Sequence, residues 1–474
     1  MKTASLVLAG FICYFIYSNP TTAAVQTYPA PAGEPLSPNF TVSVDGKNSP
    51  VYLATVVSLS PEERVKVRDM IDPAGVTSKT SFTSFDLRGS AEITVSCPQA
   101  IQSAKILPAS SGLVPKISGN KLSFSVSKAA QLTLEVNDDW VNSLHLFVNP
   151  PETNLPKADD PKVIYFGPGI HEINQVKVTS GQTVYIAGGA VLYASPLETG
   201  KSTGPMFWLS GTNITLRGRG IIDGSKRPHP GGGHPIVAEG TNIKVEGVIL
   251  RDSPTWNFPI RKSANVDIRN LKIIGWRSNS DGIDICNSCN VTVSDCFLRT
   301  FDDLVVIKSY DPQGGPAKDI TVKNCILWNE FAHALSLGAE LRMPVENVTF
   351  SDCEVIHDKG REWLLRVYHC DSAPVKDIRF DNIRSEETQR LMSLWIGKAI
   401  WTKDAERGHI DNVTFSNILS PLPSRTSPYA DLVGFDAEHA IHGVRFEHAL
   451  VGGNLLQASD IKQNEFVQDV QVNP

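Results

Sequence analysis

Beyond its first two dozen residues the 474-residue chain has no apolar run long enough to span a bilayer, so a helical membrane protein is not expected. It lacks a basic surplus as well: 44 Lys and Arg stand against 50 Asp and Glu, for a net charge of −6. A nucleic-acid binder needs a basic face, and that class is set aside. Cysteine is sparse, at 8 residues, and Cys286 and Cys289 form a CxxC with no second pair and no spaced histidines. A zinc site is therefore not expected; the two form a local disulfide or stay as thiols. No metal and no other cofactor is called for.

What the chain does have is a repeat. On a template of apolar, x, apolar, x, Asn/Asp, apolar, it offers IKVEGV from Ile243, VDIRNL from Val266, VTVSDC from Val291, ITVKNC from Ile320, VTFSDC from Val348, IRFDNI from Ile378 and VTFSNI from Val413, with a looser VRFEHA from Val444. The starts are 23, 25, 29, 28, 30, 35 and 31 residues apart, and each copy alternates at strand spacing. Such a period marks a solenoid. The intervals lack the helical stretches and regular leucines of leucine-rich repeats and read instead as Gly-, Asn-, Ser- and Asp-rich loops. The fold class is all-β, a parallel β-helix in which each coil buries its inward residues against its neighbours.

The repeat also explains residues that invite other readings. Cys296, Cys325 and Cys353 share the template position that elsewhere holds Val248, Leu271, Ile383 and Ile418, so they are expected as small hydrophobes in one buried column. Sequons occur at Asn39, Asn213, Asn290, Asn347 and Asn412, but four of them open a repeat strand and say little about glycosylation.

The start of the chain, Met1 and Lys2 before an apolar run over 4–17 and TTAA at 21–24, reads as a signal peptide over residues 1–24, with secretion to the exterior or periplasm. Residues 25–150 carry short alternating runs such as TSFTSFDL and AEITVSC, expected as an antiparallel β-sandwich. A Pro-rich, charged segment, 149–161, separates it from the β-helix of residues 151–474. A solenoid needs its terminal coils covered, so the sandwich is expected to cap one end.

Four acids stand out: Asp281 and Asp284 in NSDGID, and Asp302 and Asp303 in FDDLVVIK. Stacked coils put such runs side by side, and crowded carboxylates raise the pKa of at least one, an arrangement suited to acid/base chemistry. Asp284 is an odd number of residues from Asp281 and is expected to face elsewhere. Asp223, before a glycine, reads as a turn former.

From Val163 to Ile418 the chain resembles glycoside hydrolase family 28, the polygalacturonases, and the related β-helical family 49, the dextranases and isopullulanases. The resemblance rests on GRGIIDG at 218–224, DSPTW at 252–256, NSDGID at 279–284, the acid pair at 302–303, AHALSLG at 332–338 and LRVY at 365–368. It implies a right-handed β-helix of the pectin-lyase type and an inverting hydrolysis of a pectic polysaccharide; a monomer is expected. In those terms Asp302 is the general acid, Asp281 and Asp303 hold and deprotonate the attacking water, His333 supports the acid, and Arg366 grips substrate. Inverting pairs are ordinarily separated by roughly 6.5–9.5 Å, within reach of acids offset on coils about 4.8 Å apart.

Two departures bear on substrate. Ala332 and Ala334 flank His333 where the family has glycines, and the family's Arg-x-Lys is Arg366-Val367-Tyr368. A tyrosine cannot supply the lysine's charge. Either Lys308, Arg342 or Arg361 replaces that cation, or the sugar is neutral or branched and stacks on Tyr368 with Trp256 or Trp363. A calcium-dependent lyase and a non-catalytic glycan-binding β-helix are the remaining classes. The loop RPHPGGGHP at 227–235 is a candidate cleft wall, rigid rather than metal-binding.

Overall fold

The computed structural model describes residues 24–66, 76–197, 203–425 and 428–473; the expected signal peptide lies outside them, save for Ala24. From Val163 onward the chain winds as a right-handed parallel β-helix, the hand that parallel crossovers impose. Each central coil supplies three strands. One coil contributes Ile283–Cys286, Cys289–Ser294 and Phe297–Thr300; the next contributes Val305–Ser309, Ala317–Lys323 and Ile326–Asn329. First and second strands join a 21-stranded sheet, and third strands form a 12-stranded one.

The repeat is the second strand of each coil. Ile243, Val266, Val291, Ile320, Val348, Ile378, Val413 and Val444 pair in one continuous column, all of them buried. Two residues on, Phe350, Phe380, Phe415 and Phe446 stack ring on ring at 4.9, 4.9 and 5.3 Å. The template's fifth position turns the corner into the third strand. Asn270, Asp295, Asn324, Asp352, Asn382 and Asn417 all sit there with φ between 50° and 57°. Asn and Asp tolerate this left-handed conformation better than other side chains, which is why the template calls for them. The opposite corner has its own ladder, in which Asn242, Asn265 and Asn290 each donate to the Asn of the preceding coil at 3.0, 2.9 and 2.6 Å. The sequons at Asn213 and Asn290 belong to that ladder, so local backbone geometry accounts for them.

The cysteine column is as expected: Cys296, Cys325 and Cys353 are buried in line with Val248, Leu271, Ile383 and Ile418. Cys286 and Cys289 are both free thiols.

Between Ala24 and Asn149 the strands form a six-stranded and a five-stranded sheet around a core that includes Val44, Phe85, Ile93 and Leu144. This sandwich does not cap a helix end. Its Tyr52, Phe82, Leu107 and Phe147 pack against Val191, Ile221, Ile249, Ile274, Phe297, Trp328 and Ile356, which belong to seven successive coils. Packing along this outward apolar stripe takes the apolar faces of both partners out of water, and the gain scales with the area covered. Buried ion pairs fix the docking: Arg219 to Asp86 and Arg251 to Glu34, each at 2.7 Å. Asp223 is a structural residue at this seam, accepting the Ser225 N–H at 2.8 Å and pairing with Arg251 at 2.5 Å.

Candidate active site

Ile283, Val305, Leu335 and Leu365 share one register column at the starts of successive first strands. Two residues before the first three of them stand Asp281, Asp303 and His333, in the turn that leads into each strand. Stacking carries the register into these turns: Gly282 N–H donates to Asp303 O at 2.8 Å, and Leu304 N–H to His333 O at 2.9 Å. One oxygen from each of Asp281, Asp302 and Asp303 lies within 4.8 Å of the others. The same three oxygens are also close enough to share a cation. Burial, with Asp281 nearby, pushes Asp302 up to about 7. Burial and the adjacent Asp302 push Asp303 well above the usual carboxylate range.

Lys308 closes the cluster. Its ammonium donates to Asp281 Oδ2 at 3.0 Å and Asp284 Oδ1 at 2.9 Å and lies 3.9 Å from the Trp256 ring centroid. Burial opposes its charge, and the two carboxylates outweigh burial. Asp284 therefore does not face elsewhere, as parity from Asp281 suggested. Alternation holds only within the strand Ile283–Cys286, and Asp281 lies in the turn before it. Asp281 Oδ1 is buried without a hydrogen-bond partner.

His333 Nδ1 is 2.6 Å from Trp363 O, which can only accept, so Nδ1 carries the proton and Nε2 presents a lone pair. Burial, aided by Arg366, lowers this imidazole to about 4. Arg366 Nη1 lies 3.5 Å from Nε2 and 3.1 Å from Glu362, with its guanidinium 3.9 Å from the Tyr368 ring. The His333 backbone N–H donates to Asp303 Oδ1 at 3.1 Å. All of Asp281, Asp302, Asp303, His333, Arg366, Tyr368, Trp256 and Lys308 line one cleft of ≈ 530 Å³.

The family model for glycosyl hydrolases family 28 matches residues 169–427, more than half the chain. The chain belongs to glycosyl hydrolase family 28. A probable polygalacturonase of Vitis vinifera is 26% identical over 221 residues, 39% of this chain and 45% of that protein. Rhamnogalacturonase A of Emericella nidulans is 27% identical over 197 residues, 38% and 36% of the two chains. The chain thus spans less than half the length of these curated relatives. Among solved structures, Dex49A from Penicillium minioluteum superposes with a TM-score of 0.67 at 13% identity, over 94% of this chain and 96% of that one. An exopolygalacturonase from Thermotoga maritima gives 0.52 at 17%, over 66% and 84%. At such identities the likeness is one of fold.

This family 28 cleft contains groups that the sequence did not single out: Glu340, Glu362, Ile400 and Trp401. Glu362 sits one position before Trp363, and only its place in the turn before a first strand, as with Asp302, signals it. Trp401 lies in a loop outside the repeat, where no periodicity marks it. Trp363 contributes its carbonyl to His333, while its ring meets Arg390 at 5.6 Å. Of the alternative cations, Arg361 lines the cleft, and Arg342 pairs with Asp404 at 2.8 Å. The loop at 227–235 holds the Trp256 wall: His229 Nδ1 bonds Pro254 O at 2.6 Å and His234 Nδ1 bonds Trp256 O at 3.0 Å.

Proposed function

We propose that this chain hydrolyses O-glycosidic bonds of a polysaccharide, with pectic polymers the favoured class, and that it is secreted and works as a monomer. The observation that carries the reading is the compact trio Asp281, Asp302 and Asp303, with Asp302 pushed up to about 7. Asp302 gives its proton to the leaving glycosidic oxygen. A water held at Asp281 and Asp303 attacks the anomeric carbon and passes its proton to Asp281, the carboxylate that Lys308 pairs. Oxygens within 4.8 Å of each other leave room for one water at hydrogen-bond distance of about 2.8 Å from two of them. His333 and Arg366 position substrate and the Asp303 side of the site, and Lys308 supplies positive charge beside Asp281.

That spacing is tighter than the roughly 6.5–9.5 Å usual for inverting pairs. Inversion is proposed on the family resemblance, and the anomer must be measured. A second reading, hydrolysis of a neutral glucan, is favoured by Tyr368 and by the fold shared with Dex49A.

The test incubates the mature protein and its Asp302→Asn variant with polygalacturonate, rhamnogalacturonan and dextran. New reducing ends without ultraviolet absorbance, abolished in the variant, support hydrolysis and name the polymer. Proton NMR of the first product reports inversion or retention. An absorbing, unsaturated product identifies a lyase, and binding without products identifies a non-catalytic protein.

A further inference from the structure

On the C-terminal side of the acids the cleft changes character. Tyr368 forms an aromatic corner, with ring centroids 5.0 Å from Trp395 and 5.8 Å from Trp401, the latter at 83°. Trp401 is 37% exposed and its neighbour Ile400 85%, and both line the cleft. Apolar groups left open at a cleft rim mark a surface that something covers. The loop bearing them is held in place: Asp371 Oδ1 accepts the N–H groups of Lys403 and Asp404 at 2.7 and 2.9 Å, and Asp404 accepts from Arg342 at 2.8 Å and from the Ser372 hydroxyl at 2.7 Å. The platform exists before any ligand arrives.

Charge at this end is already balanced. Arg366 pairs with Glu362 at 3.1 Å and Arg361 with the same carboxylate at 3.6 Å. Glu340, also in the lining, makes no ion pair among the described residues. A uronate carboxylate placed here would lose water and face Glu340, while both guanidiniums are already drawn to Glu362, and a carboxylate buried against another carboxylate is costly. Hydroxyls fare better. Ser336 Oγ and Arg366 Nε are buried without partners, and Glu340 can accept. A pyranose C–H face suits the open indole of Trp401.

Resting on the hydrolase reading above, we propose that the sugar bound against Tyr368 and Trp401 is neutral, so the bond cleaved has a neutral residue on this side. The test uses the full chain carrying Asp302→Asn, so that ligands bind without turnover, and measures trigalacturonate, isomaltotriose and a rhamnogalacturonan hexasaccharide by calorimetry. At least one of the two oligosaccharides containing neutral sugars should bind about tenfold tighter than trigalacturonate, and which one binds names the source. Adding Trp401→Ala should weaken that binding about tenfold, and adding Tyr368→Lys should narrow or reverse the preference, with melting temperatures unchanged. Equal or tighter binding of trigalacturonate, binding of none of the three, or indifference to Trp401→Ala overturns the inference. Hydrolysis is read separately on the unsubstituted chain. Cleavage of polygalacturonate as fast as of the other polymers overturns the neutral site and leaves the hydrolase reading intact. The binding preference without cleavage of any polymer overturns the hydrolase reading alone.

Discussion

The Lys308 ammonium lies 3.0 Å from Asp281 Oδ2, and the same three protons also reach Asp284 at 2.9 Å. A single buried cation thus serves two buried carboxylates from the neighbouring coil. Removing it leaves both uncompensated. Lys308→Met should destabilise the chain by about 3–5 kcal/mol, the usual cost of breaking one partner out of a buried pair. Denaturant unfolding measures this, and an unchanged midpoint would show that the pair is not structurally coupled. Activity should fall too, because Asp281 loses its fixed orientation.

Asp302→Asn should lower kcat by at least about 10²–10⁴, the span attributed to a positioned general acid. Circular dichroism should be unchanged, since Asn is isosteric with Asp and its carbonyl can keep one of the two contacts that Asp302 accepts, from the N–H of Asn279 at Oδ2 and of Asp303 at Oδ1.

The pH profile follows from the same residue. Asp302 works as an acid only when protonated, and with its carboxyl pushed up to about 7, rate should fall about tenfold per unit above that value. Stability moves in the same direction. Between the ordinary value of 3.8 and about 7 the folded chain binds a proton that the unfolded chain has released, so stability falls as pH rises through this window. Asp302→Asn should therefore melt above the parent at pH 8, with the advantage vanishing below about pH 4. Parallel melting curves across that range would sink this assignment.

His333 is lowered to about 4 and stays neutral across the working range. His333→Ala should reduce kcat by freeing Arg366, without shifting the alkaline limb of the profile. A moved limb would instead make His333 a titrating catalyst.

Phe380 lies between Phe350 and Phe415 in the stacked column, buried on both sides. Phe380→Ala should cost about 3–5 kcal/mol through the cavity it opens. Thermal unfolding checks it, and activity per folded molecule should not change, because the column lies on a different face from the cleft.

The solenoid was legible because its code is local and repeated. Alternation marked the second strands, the Asn or Asp at the fifth position marked a left-handed corner, and Cys296, Cys325 and Cys353 could be read as core from their place in the template. That the acids would cluster was legible for the same reason, since stacked coils bring equivalent positions together even where the period drifts. Tertiary structure alone decided what depends on contacts between different coils or outside the repeat. Asp284 turned toward the cluster because Lys308 of the next coil draws it there, which parity within one strand cannot foretell. Trp401 entered the cleft on a loop with no periodicity, held by Asp371 and Asp404. The sandwich settled on the flank, where seven coils offer a continuous apolar stripe that appears only once the third strands are stacked. Periodic sequence specifies how a chain pairs with its own neighbours; long-range charge pairing and the burial of assembled surfaces exist only in the finished fold.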